Sequence, residues 1–172
     1  GFVISKEKSP IKVRGITTGK IVDYGVKDSM NMGACMAPAA AEVIYQHFND
    51  FAMTPDDYDA IYTGDLGEVG KEILIKLLKD NGYDISKVHG DCGIEVYQDE
   101  TQDTHAGGSG CACSAVVLSS MITRKMINGG WNRVLFVPTG ALLSKTSFNE
   151  GETVPGIAHG VCWKERMYKW NM

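Results

Sequence analysis

The chain has 172 residues, 44% of them apolar and 22% charged, with only five prolines; these values suit one folded domain and argue against disorder. Its 17 basic and 21 acidic side chains leave a net charge of −4 with no lysine or arginine block, so the electrostatic footprint of a nucleic-acid-binding protein is missing and DNA and RNA are excluded as partners. The longest uncharged run, residues 106–123, opens on glycines and carries several serines, poor material for a span of roughly 20 apolar residues, and no basic segment precedes an apolar one at the amino end, so neither a membrane span nor a secretory signal is expected.

In chain order, residues 2–5 form a short apolar piece before the charged turn at Lys6, Glu7 and Lys8, and residues 11–24 alternate as a strand or strand pair. A helix is predicted over 37–48, with Pro38 in its first turn and Ala39, Ala40, Val43, Ile44 and Phe48 on its apolar face. Thr54-Pro55 opens a turn, and residues 58–62 make a strand running into Thr63-Gly64-Asp65. Asp65 is the expected cap of a second helix, with Glu68 reaching back and Leu66, Val69, Ile73 and Leu77 on one face; Asn81-Gly82 ends it. A short strand is expected at 94–97, a third helix over 109–128 stopped by Gly129-Gly130, and two final strands at 131–139 and 154–163 around a loop at 145–151.

Strands alternating with helices, closed by a strand pair, imply an α/β domain with a mixed sheet. The third helix is the informative one. Its first four turns carry no charge, and Gly110, Ala112, Ser114 and Ala115 mix with Val116, Val117 and Leu118. A helix without a polar face needs cover all round, which one five-stranded sheet does not supply, so a second sheet is expected from further chain or from a partner. Without it, the chain should expose an apolar helix face and associate.

Three turns are candidate sites. Gly107-Gly108-Ser109-Gly110 precedes the third helix and could present backbone N–H groups to an anion or a polarised carbonyl, although the same glycines suit plain close packing of the helix start. Thr63-Gly64-Asp65 ends a strand where open α/β sheets place ligands; its plain alternative is a threonine bonded to neighbouring groups. Pro138-Thr139-Gly140-Ala141-Leu142 is a third strand-end turn. Cys35, Cys92, Cys111, Cys113 and Cys162 are odd in number and irregular in spacing, which argues for a reducing compartment and mostly buried thiols. Neither they nor the scattered His47, His89, His105 and His159 have metal-site spacing, so no metal site is expected. No cysteine or serine is matched with a local histidine for nucleophilic catalysis, and His105 is the only histidine near the glycine turn.

Several strings then point together to one family. The run Asn31-Met32-Gly33-Ala34-Cys35-Met36-Ala37-Pro38, the turn Tyr62-Thr63-Gly64-Asp65-Leu66, the stretch from Thr101 through His105 and Gly108-Ser109-Gly110 to Ser114, Ser147-Phe148-Asn149-Glu150-Gly151, and Val154-Pro155-Gly156-Ile157-Ala158-His159-Gly160 resemble the stage V sporulation protein AD family over residues 1–161. The resemblance implies the C-terminal half of a thiolase-like fold, a mixed five-stranded sheet with a buried central helix lying between two sheets of the complete protein. Residues 1–163 would form that domain, with 1–5 as the tail of a missing N-terminal half and 164–172 as an atypical ending.

Condensing enzymes of that type use a cysteine of the first half with a histidine and an asparagine of the second. Aligned on their motifs, Thr63 stands at the histidine position and Ser109 at the asparagine position, so a cysteine-based Claisen condensation is unsupported and no cofactor is implied. The resemblance instead implies a non-catalytic pocket near Thr63, His105, Gly108, Ser109, Gly110, Gly140 and Ala141 that binds dipicolinic acid, free or as its calcium chelate, and serves its uptake into the developing spore. Membrane proteins of the same operon would be partners, placing a cytoplasmic protein without a signal peptide at the spore inner membrane, with dimerisation of the kind thiolases show. The competing readings are an active acyltransferase, which would need His105 as base, and a scaffold of a membrane assembly.

Overall fold

A computed structural model describes residues 2–98, 101–102, 110 and 112–165. Its strands are β1 (Ile11–Thr17), β2 (Ala60–Thr63), β3 (His89–Asp91), β4 (Arg133–Val137), β5 (Thr139–Ala141), β6 (Gly156–Ala158) and β7 (Gly160–Glu165). Five make one sheet in the order β1-β7-β4-β2-β3, while β5 and β6 pair separately. β2 runs parallel to β3 and β4, and β7 antiparallel to β4 and β1, so the sheet is mixed and the expected closing pair is β4 with β7.

The helices are α1 (Met32–Phe51), α2 (Gly67–Asp80), α3 (Cys92–Val96), α4 (Cys113–Val117), α5 (Thr123–Ile127) and α6 (Lys145–Asn149), with one π-helical turn, Leu118–Ile122, joining α4 to α5. The two-residue period of the strands sorts the core. Ile61, Leu135 and Val137 face α1 and α2, whereas Ala60, Tyr62, Val134 and Phe136 face Cys113, Val117, Leu118, Ile122 and Met126. Helices thus cover both faces of the central strands, which is why those strands read as unbroken apolar runs.

Several expectations are corrected. α1 starts at Met32, not at 37, because the Asn31 side chain accepts from the Ala34 N–H at 3.2 Å and caps it. Pro38 therefore sits inside the helix. The early start brings Gly33 against α2, where a Cβ would lie 2.2 Å from the Leu66 carbonyl oxygen and 3.0 Å from Gly70 N; only glycine permits that crossing. The buried face of α2 carries Gly67, Gly70, Leu74 and Leu78, with Ile73 and Leu77 half-buried and Val69 exposed. α2 does end at Asn81 and Gly82, the latter at φ 89°. Residues 92–96 are helical, so the strand expected at 94–97 is instead β3, just before it. α6 occupies part of the expected loop, held by a capping box between Ser144 and Ser147.

The third helix is seen from Cys113 and ends at Asn128, with Gly129 at φ 74°; Gly110 and Ala112 are not helical, and Ser109 and Cys111 lie outside the described residues. One face is buried against the sheet, while Ala115, Val116, Ser119 and Ser120 are exposed. Ser119 and Ser120 both donate to the Val116 carbonyl, at 3.1 and 2.7 Å, and Thr123 to that of Ser119 at 3.0 Å. Those hydroxyls need no external acceptor. Cys35, Cys92, Cys113 and Cys162 are buried, as expected of most of the thiols.

Candidate functional site

From β2 the chain passes through α2 to β3 on one side, then through α4 and α5 to β4 on the other. The connection reverses at β2, so the carboxyl ends of β2 and β4 flank a topological switch point, the usual ligand position in open α/β sheets. Thr63-Gly64-Asp65 and Pro138-Thr139 meet there. A Cβ on Gly64 would lie 2.7 Å from Thr139 N, and Asp65 N donates to Thr139 Oγ1 at 3.3 Å. Gly140 and Ala141 continue into β5, opposite Ile157 and Gly156. Gly110 is exposed with φ 80°; His105, Gly108 and Ser109 lie outside the described residues.

Thr63 is fully buried, and its hydroxyl lies 2.6 Å from Asp91 Oδ2 and 3.0 Å from His89 Nε2. Asp91 organises this corner. Besides Thr63 it accepts from the backbone N–H groups of Leu66 (2.8 Å), Gly67 (3.2 Å), Gly93 (3.1 Å) and Ile94 (3.4 Å), so one carboxylate serves the starts of both α2 and α3. Burial pushes its carboxyl up from the ordinary value, while the hydrogen bonds from Thr63, Leu66 and Gly67 oppose the rise. Asp65, the expected cap of α2, does not fill that role: the residue flanking the helix is Leu66, with no side-chain cap, and Asp91 replaces it.

A carboxylate only accepts, so Thr63 gives its proton to Asp91 and receives the Nε2–H of His89 on a lone pair. Burial, helped by nearby Lys71, holds His89 down at about 4. At neutral pH it is an uncharged donor, and its Nδ1 is buried without a hydrogen-bond partner among the described residues. Beside this network the Tyr62 hydroxyl donates to Glu95 Oε1 at 2.6 Å, and burial raises the Cys92 thiol far above its ordinary value. Thr63 is therefore a fixed strut between the Asp91 carboxylate and the neutral His89 ring. Sequence reasoning missed Asp91 altogether and gave His89 no role. The available signal was an Asp immediately before the short Cys92-Gly93-Ile94-Glu95 segment, a preferred cap position.

No described helix is long and apolar enough to cross a membrane. Among solved structures, a tetronic acid condensing enzyme, AbyA1, is similar with a TM-score of 0.43 and 15% identity, over 90% of this chain and 47% of that one. Stage V sporulation protein AD of Bacillus subtilis (strain 168) is 49% identical over 162 residues, which is 94% of this chain and 48% of that protein. The chain thus spans about half the length of the curated relative it matches. The family model described as Stage V sporulation protein AD (SpoVAD) matches residues 1–164, and with nearly the whole chain accounted for by both matches, it belongs to the stage V sporulation protein AD family.

Proposed function

We propose that this chain is half of a non-catalytic binding protein for dipicolinate, with a thiolase-like pocket at the carboxyl ends of β2 and β4. The observation that supports it best is Thr63, which stands where the condensing-enzyme motif carries its histidine and is tied to Asp91 and a neutral His89. A hydroxyl so held cannot take up a proton at neutral pH, which suits binding rather than acyl transfer. In this reading Thr63 positions the 63–65 turn, while Gly110, Gly140 and Ala141, with His105, Gly108 and Ser109, line the pocket. The ligand arrives free or as its calcium chelate, and the protein works at the spore inner membrane with membrane proteins of the same operon.

Calorimetry of the complete two-half protein with dipicolinate tests the reading. Saturable binding is expected; no binding, together with acyl-enzyme formation from an acyl-CoA, overturns it in favour of an acyltransferase. The full burial of Thr63 favours a second reading, a scaffold whose pocket is a remnant. A Thr63→Ala/Ser109→Ala variant that assembles normally and sustains full dipicolinate uptake would select the scaffold.

A further inference from the structure

At the opposite end of the sheet, where β4 begins, three neighbouring strands each send a cation to one face. In β4 and β7, Arg133 stands directly opposite Lys164, and Lys164 is also paired with Lys12 of β1. The β1–β7 register slips between Val13 and Gly15, so that Val13 faces Trp163 and Gly15 faces Cys162 with Arg14 as the additional residue. Such a bulge redirects the side chain it carries. Arg14 joins Lys164 and Arg133 around a cavity of about 180 Å³ whose wall also includes Phe51, His47 and Cys162.

Like charges placed directly opposite across strands destabilise a sheet, and little here offsets them. Arg133 Nη1 donates to the Asp57 backbone carbonyl at 3.1 Å and lies 3.8 Å from Asp57 Oδ1, leaving its other guanidinium N–H groups for the cavity; no carboxylate among the described residues forms an ion pair with Arg14 or Lys164. His47 adds neither charge nor a spare donor, since its ring nitrogens are 2.7 Å from Thr17 Oγ1 and 2.9 Å from the Tyr58 hydroxyl. The Cys162 thiol is buried among the same three cations. We propose that this cavity binds a small oxyanion, a carboxylate or phosphate group whose oxygens sit between Arg14, Lys164 and Arg133, with the Phe51 ring and Cys162 as its apolar wall. The site is independent of the pocket at Thr63, and its failure would leave that reading untouched.

The test is calorimetric titration of the full-length protein with sodium phosphate and, separately, sodium malonate, at constant ionic strength set with sodium chloride. One of the two is expected to bind saturably, and the tighter arm identifies the oxyanion. Arg14→Gln/Lys164→Gln should weaken that binding at least tenfold, whereas Lys76→Gln, at a lysine paired with Asp80 on α2, should leave it unchanged. Unsaturable heats in both arms, or equal binding by the double variant, would overturn the proposal.

Discussion

At the carboxyl end of β2 a single carboxylate, Asp91, is met by the Thr63 hydroxyl and four backbone N–H groups; at the amino end of β4, of the three cations Arg14, Lys164 and Arg133, only Arg133 has a carboxylate partner among the described residues, Asp57. The difference follows from burial. Asp91 and Thr63 are almost wholly removed from water, and a charge there persists only if the protein supplies every partner. Arg14 is exposed, and Arg133 and Lys164 are half-buried, so water can solvate them at modest cost. One end is closed around a carboxylate whose partners the protein supplies, the other open and unbalanced, with room for an outside anion.

The largest expected effect lies at the closed end. Asp91→Ala removes the acceptor for the starts of α2 and α3 and leaves buried donors unpaired, so it should cost about 3 to 4 kcal/mol in urea unfolding. Asp91→Asn should fall in between. A loss under about 1 kcal/mol would mean that the carboxylate is not what holds this corner.

Acid should reveal the buried histidines. His47 and His89 are each held at about 4 by burial, below the unfolded value of about 6.5. The unfolded chain therefore binds more protons between those limits, and stability present above about pH 6.5 is lost as the pH falls toward 4. At pH 4.5 each histidine should cost up to about 2.5 kcal/mol relative to pH 7, partly offset by Asp91, whose raised pKa acts in the opposite sense. His89→Gln should flatten the profile. Unfolding free energies that stay level from pH 7 to 4.5 would refute the account.

The smallest effect has the opposite sign. Lys164→Gln relieves a directly opposed pair of like charges and should raise stability by about 0.5 kcal/mol at low salt, a gain that shrinks in 1 M salt as screening removes the repulsion. Equal destabilisation at both ends of the sheet on removing a charge would abolish the contrast between them.

Much of the fold was legible in the chain itself. Apolar runs located β2, β4 and the closing β4–β7 pair, Asn81-Gly82 and Gly129 marked helix ends, and the charge-free stretch before Arg124 identified the helix that packs on the sheet beneath Tyr62 and Phe136. These signals depend on periodicity and backbone preference, which act within a few residues. The candidate site was legible only at Thr63 and at the Thr139 turn, as strand ends. Leu66 finds its cap in Asp91, 25 residues away, rather than in the adjacent Asp65; the buried face of α2 is set by the approach of Gly33; and Arg14 reaches its cavity through a register slip against β7. Local pattern determined which segments fold as helix or strand. Only the tertiary structure decided which polar group meets which, because a buried carboxylate or an aligned row of cations draws its energy from neighbours that the chain brings together by folding.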